Sequence, residues 1–299
     1  MRVTVTGATG TLGRALVGEL SARRDLVTAL SRDPARAGLG VETLEWRDPK
    51  GERPPAEALR GREAVVHLLG ETIAQRWSED VKREVRDSRV LATRNLVAAL
   101  SDLPEAERPP VLVSQSATGF YGPRGDERIA EDEPAGRDWL ADLVRDWEAE
   151  AREAPGRVVL TRTGVVLSPE GGALEKMLPF FKLGVGGPVA GGRQYVPWVH
   201  LDDVVGAIDF CLRSDVEGPV NVTAPEPVTN KELSRTLGRV LRRPAFAPVP
   251  ALAVKTLYGE MATIVTTGAR VVPERLLGLG YEFRRPELED ALSSAIRGS

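Results

Sequence analysis

Residues Val3-Thr4-Val5-Thr6-Gly7-Ala8-Thr9-Gly10-Thr11-Leu12-Gly13-Arg14 run from a short β-branched strand through regularly spaced glycines into an amphipathic stretch. Leu12, Leu16, Val17 and Leu20 then recur at helical spacing, so the segment reads as strand, tight turn and helix. In such a turn Gly7 permits the reversal, Gly10 lets backbone approach an anion, and Gly13 lets helix and strand pack closely. The N–H groups at the helix start favour a pyrophosphate. The candidate contacts are Gly7, Thr9, Gly10, Thr11, Leu12 and Gly13, and the expected ligand is a dinucleotide. An ordinary glycine-rich turn is the competing explanation, but the placement between strand and helix favours the cradle.

Apolar runs continue at Leu26–Leu30, Val41–Trp46, Ala64–Leu69, Val111–Ser114 and Val158–Val166, each bounded by charge, Gly or Pro. Between them, Val81–Leu100 and residues 139–153 carry helical periodicity. This alternation predicts an α/β chain with a parallel sheet. From about Gly171 the rhythm gives way to Gly/Pro-rich segments and short helices, which predicts a smaller C-terminal lobe. We expect residues 1–170 to form the nucleotide-binding domain, with 190–225 returning to it, and 171–299 to form a substrate lobe.

The 299 residues are 42% hydrophobic and 28% charged, enough for a large core. A net charge of -3 without a Lys/Arg block excludes general attraction to nucleic acid or anionic membrane. The single Cys211 excludes an intrachain disulfide, and no apolar run approaches the ~18 residues of a membrane span. Two histidines and one cysteine argue against a soft-ligand metal site. Because Met1 leads directly into strand, a cytoplasmic location is expected.

After the second strand stands Ser31-Arg32-Asp33-Pro34. Proteins that bind NAD place an acid here to hold the ribose 2′-hydroxyl. The arginine instead suits a 2′-phosphate, so NADP (NADPH) is expected ahead of NAD. A solvated Arg32 beside a capping Asp33 is the alternative.

Several segments resemble the extended short-chain dehydrogenase/reductase superfamily, the branch with nucleoside-diphosphate-sugar epimerases. They are Val65-Val66-His67-Leu68-Leu69-Gly70, Ser114-Gln115-Ser116-Ala117-Thr118-Gly119-Phe120-Tyr121-Gly122, Arg162-Thr163-Gly164-Val165-Val166-Leu167 and Val199-His200-Leu201-Asp202-Asp203-Val204. Gly70-Glu71, Arg76-Trp77, Asp87-Ser88-Arg89-Val90, Asp146-Trp147-Glu148, Asn221-Val222-Thr223-Ala224-Pro225, Pro248-Val249-Pro250 and Gly259-Glu260 are similar to a divergent epimerase-family subgroup with a C-terminal domain of unknown function. The resemblance covers essentially the whole chain. It implies a Rossmann-type doubly wound parallel sheet with a smaller C-terminal α+β substrate lobe. It adds Leu68, Leu69, Gly70, Ser114 and Gly164 to the cofactor contacts and implies a homodimer paired through two long helices.

The superfamily's catalytic Tyr-x-x-x-Lys pair is missing: the matching stretch Asp138–Trp147 has neither tyrosine nor lysine. The resemblance leaves Ser116 to orient a substrate oxygen, and Glu71, just beyond the fourth strand, as a base or substrate contact. Arg76, Trp77, Arg89, Tyr121, Trp198 and His200 are the candidate substrate contacts; the structural alternatives are a solvated helix face for Arg76, Trp77 and Arg89, packing for Tyr121, a plain Gly/Pro loop at Trp198, and a structural His200 beside an Asp202 that caps the next helix. His67, within an apolar run, reads as a core residue. The expected function is an NADP-dependent epimerase or oxidoreductase acting on a polar, nucleotide-sugar-like small molecule. The alternative is a non-catalytic NADP(H)-binding sensor.

Overall fold

The computed structural model describes residues 1–168 and 170–297. Its central sheet contains β1 (Arg2–Thr6), β2 (Leu26–Ser31), β3 (Glu42–Glu45), β4 (Ala64–His67), β5 (Val111–Ala117), β6 (Arg157–Thr163) and β7 (Gly218–Val222). All neighbours are parallel, in the order β7-β6-β5-β4-β1-β2-β3. The chain moves outward from β1 to β3, then restarts at β4 and moves the other way. The strand order therefore reverses between β1 and β4, where open α/β sheets form a ligand crevice at the carboxyl ends of their strands.

The principal helices are α1 (Thr11–Ala22), α2 (Glu79–Asp102), α3 (Trp139–Arg152), α4 (Gly172–Lys182), α5 (Leu201–Arg213) and α6 (Asn230–Leu241). The two-residue period of the strands sends alternate side chains into two cores. Val3, Val5 and Val66 pack with Leu16 and Leu20 of α1 and Ile208 and Leu212 of α5. Val65, Leu112 and Leu160 face Leu96 and Leu100 of α2 and Ala151 of α3. Each buried Val or Leu contributes roughly 1.5–3 kcal/mol, so the helical spacing in α1 and α2 fixes which face turns inward.

His67 is fully buried between these layers, its Nδ1 2.7 Å from Thr6 Oγ1 and its Nε2 3.0 Å from Thr93 Oγ1. Burial lowers its pKa from 6.5 to about 4, so it is a neutral core residue with both ring nitrogens partnered.

Several expected strand ends differ from the structure: β5 continues past Ser114 to Ala117, and β3 is confined to Glu42–Glu45. β4 stops at His67, and Leu68 leaves the sheet to lie over the glycine turn. The sixth run breaks at Gly164: Val165–Leu167 departs from the central sheet and pairs in parallel with Trp198–His200. A Cβ on Gly164 would stand 2.0 Å from the Pro197 carbonyl oxygen, so only glycine allows this crossing.

Beyond the break, Leu167, Leu174, Leu178, Phe181, Trp198, Leu233 and Leu237 form another core with Ala291 and Leu292. The last helix of that core follows a clasp on the first core. The Asp203 carboxylate accepts the backbone N–H groups of Arg284 (2.6 Å) and Arg285 (3.0 Å), and the Tyr281 hydroxyl donates to the Asp203 carbonyl (3.1 Å). Among the described residues, no helix is long and apolar enough to cross a membrane.

Candidate cofactor groove and ligand pocket

Gly7 has φ +66°, and a Cβ there would lie 2.8 Å from the Leu68 carbonyl carbon and oxygen. At Gly13 a Cβ would lie 2.3 Å from the Gly7 carbonyl oxygen and 2.7 Å from the Ala8 Cα. Gly10 differs: its nearest neighbour would be the Gly7 carbonyl oxygen at 3.4 Å, and it caps α1 without any side-chain bond. Two glycines thus let the turn close, while the third keeps the start of α1 bare. An exposed Thr9 and Thr11 flank it.

From this turn a groove of about 270 Å³ extends along the strand ends. Gly7, Thr9, Gly10, Arg32, Leu68, Leu69 and Gly70 line it, which brings together most of the expected cofactor contacts, and Glu71, expected as a base or substrate contact, lines this groove as well. Ser114 is fully buried, and Gly13 lies beneath the turn. The groove also receives Ser31, Trp46, Pro49, Lys50, Glu84 and Ser88, which sequence reasoning missed. Arg32 is exposed on its rim, and the Lys50 ammonium lies 2.7 and 2.8 Å from the two Glu84 carboxylate oxygens. Ser88 Oγ accepts the Glu71 N–H at 2.9 Å, tying the end of β4 to α2. Arg89 lies against Gly70, within 2.9 Å of where its Cβ would stand, and donates to the Val85 carbonyl at 3.0 Å. Burial lowers its pKa to about 10.

A separate pocket of about 350 Å³ sits where the segments after β5 and β6 meet residues 173–271 of the chain's C-terminal part. Thr118, Gly119, Val165 and Pro197 form its sheet side, while Trp77, Trp139, Leu140, Met177, Ile264 and Val265 give it an apolar wall. Trp77 and Trp139 touch, ring centroids 4.7 Å apart and tilted by 59°. The stretch expected to carry the catalytic tyrosine instead supplies Trp139 and Leu140, and Leu140 packs against Gly119. Arg76 is exposed and donates to the Thr256 carbonyl at 3.3 Å.

Ser116 and Tyr121 lie in neither cleft. Ser116 is 1% exposed and donates to Glu148 Oε1 at 2.6 Å. Arg162 clamps the same carboxylate, from Nε to Oε1 at 2.8 Å and from Nη2 to Oε2 at 2.9 Å. Its Nη1 donates to the Tyr121 hydroxyl at 2.9 Å, and that hydroxyl donates to Asn221 Oδ1 at 2.7 Å. Burial pushes the Tyr121 phenol up to about 12, unfit for proton transfer at neutral pH. Trp198 is 1% exposed and donates to the Glu226 carbonyl at 3.1 Å. His200, buried with its pKa lowered by burial, accepts the Asp202 N–H at 3.1 Å and caps α5. Capping falls to His200 itself, where the sequence suggested Asp202.

The model of the NAD dependent epimerase/dehydratase family matches residues 3–223, and a model described as a domain of unknown function (DUF1731) matches residues 249–295. The chain belongs to the NAD dependent epimerase/dehydratase family. Within the family, it is 40% identical to a chloroplastic SDR39U1 homolog of Arabidopsis thaliana over 99% of this chain and 87% of that one. It is also 40% identical to an epimerase family protein of Mycobacterium bovis, over 98% and 97%. The crystal structure of human epimerase family protein SDR39U1 with NADPH is 36% identical and superposes with a TM-score of 0.90, covering 100% of both chains.

This epimerase-family chain therefore keeps the family's sheet and glycine turn without the proton-relay pair. The missed signal was Arg162: a cation inside the apolar run Val158–Val166 requires a buried acid, and Glu148 supplies it. The pocket wall escaped because its apolar residues come from segments far apart in sequence. Among the described residues, no group of three or more His, Cys, Asp or Glu could hold a metal ion.

Proposed function

We propose that this chain binds NADPH in the groove at the β1–β4 crevice and acts as an oxidoreductase on a small molecule held in the neighbouring pocket. The observation that carries the reading is the pairing of a bare helix start at Gly10 with the cations Arg32 and Lys50 along one groove. The α1 start suits the pyrophosphate, and the exposed Arg32 suits a 2′-phosphate. NADPH in the human relative, 36% identical, supports the same choice of nucleotide. Bound there, the nucleotide would supply a hydride.

This chain's residues would bind and orient the reactant. Trp77, Trp139, Leu140 and Met177 would exclude water around it, and Thr118 is a hydroxyl on the sheet side. Ser116 would hold the β5 end in place through Glu148 instead of touching the reactant.

The sensor reading draws on one observation, the commitment of Ser116 and Tyr121 to buried partners, which leaves the cleft without the usual relay. Nicotinamide fluorescence with purified protein tests binding, and NADPH oxidation across a carbonyl panel tests turnover. Binding with turnover supports the enzyme. Binding with no turnover across the panel supports the sensor, and no binding rejects both.

A further inference from the structure

We infer that the 350 Å³ pocket takes a planar, uncharged aromatic substrate and not a nucleoside diphosphate sugar. This deepens the proposed function and rests on it for the placement of NADPH in the β1–β4 groove.

The first ground is charge. Among the described residues that line the pocket there is no Lys or Arg, whereas Asp138 and Glu260 both reach it. A pyrophosphate would bring two negative charges into this space, and an unpaired charge removed from water costs several kcal/mol. None of the nearby cations lines the pocket itself, although Lys82 stands 5.8 Å from the ring centroid of the lining Trp139. Lys82 binds Glu260 and, at 3.2 Å, Glu79. Lys176 donates to the Ala74 carbonyl, and Arg270 stacks 5.4 Å from the ring centroid of the lining Tyr195, with its buried Nε unpartnered among the described residues. Asp138 is itself occupied, accepting the Ala141 N–H at 2.9 Å as the cap of α3. The acids therefore do not call for a cationic ligand.

The second ground is shape and surface. Trp77 spends its only donor on the Ile73 carbonyl at 3.0 Å, so its ring offers an apolar face. With Trp139, Leu140, Met177, Ile264 and Val265 it forms a wall whose main attraction is for flat apolar area. The volume lies at the small end of ligand pockets, enough for a bicyclic ring system and a polar tip. Thr118 and Asn230 provide polar partners for such a tip.

The test uses the full chain saturated with NADP+, which carries no hydride to reduce the aldehyde, titrated calorimetrically with 2-naphthaldehyde and, separately, with UDP-glucose. The expected result is one aldehyde site whose affinity falls at least tenfold in Trp139→Ala and in Met177→Trp, the latter filling the pocket without removing wall. UDP-glucose should bind at least tenfold more weakly than the aldehyde. Absence of aldehyde binding, aldehyde affinity unchanged in both folded variants, or tighter UDP-glucose binding that either variant weakens would overturn the proposal. Nicotinamide fluorescence in a parallel titration with NADPH and no aldehyde separates the two readings. If NADPH does not bind, the proposed function fails, and the aldehyde titration repeated without nucleotide still decides the pocket.

Discussion

Arg162 and Glu148 face each other across the β6–α3 interface as a two-pronged ion pair, each side chain only 3% exposed. Removing one partner strands a charge in a low-dielectric site, which costs about 3–5 kcal/mol. Arg162→Met should therefore lower unfolding free energy by that order in urea titrations. The double variant Arg162→Met/Glu148→Leu should recover part of the loss.

Ser116→Ala deletes one hydrogen bond to an already clamped carboxylate. The expected cost is about 1–2 kcal/mol, with NADPH affinity unchanged within about twofold. A loss of NADPH binding in a fully folded variant would place Ser116 at the cofactor and contradict its burial.

Gly10→Ala and Gly13→Ala separate the fold from its ligand. At Gly10 the backbone angles suit alanine and the new Cβ meets nothing closer than 3.4 Å, so thermal stability should hold within about 0.5 kcal/mol. NADPH affinity should fall about tenfold or more, because the methyl group occupies the anion's approach. At Gly13 the methyl group would collide with the Gly7 carbonyl oxygen and Ala8 backbone, so the fold itself should weaken. Thermal melts paired with nicotinamide fluorescence check both.

Arg32→Glu replaces a rim cation with an anion on the groove. NADPH affinity should drop about tenfold or more, the scale of a charge-assisted hydrogen bond, while NADH affinity changes less than threefold. Equal losses for the two nucleotides would remove Arg32 from the 2′-phosphate.

His67 has a folded pKa of about 4 against 6.5 when free. As pH falls through 6.5 the unfolded chain takes up a proton that the folded chain refuses, so stability drains away between about 6.5 and 4. The drop from pH 7 to pH 5 should include about 2 kcal/mol from this residue. His67→Asn should remove that portion, measured by urea unfolding at the two pH values. Glu19, whose pKa is lowered by the Arg284 hydrogen bond, adds its own loss as pH falls below its ordinary 4.5.

The sheet was legible because strand and helix periodicities are local: Val3 and Val5 alternate with Thr4 and Thr6, and Leu16 and Leu20 repeat a helical turn apart. The glycine turn was legible for the same reason, with each glycine's task set by its immediate neighbours. Ser116 and Tyr121 were harder. Their motif is read along the chain, but their chemistry is decided by Glu148, Arg162 and Asn221, which arrive from other elements. Lys50 and Met177 carry no motif and reach their clefts only through tertiary packing.

The clasp at Asp203 has a mechanical consequence. Because Arg284 and Arg285 are fastened to α5 of the first sheet core immediately before Ala291 and Leu292 enter the core of Leu167, Trp198 and Leu237, the C-terminal segment acts as a tether across the molecule. Loosening either core slackens the same strap. The two cores are thus thermodynamically linked, and heat should melt them as one cooperative unit, with a single calorimetric peak that splits when Asp203 loses its carboxylate.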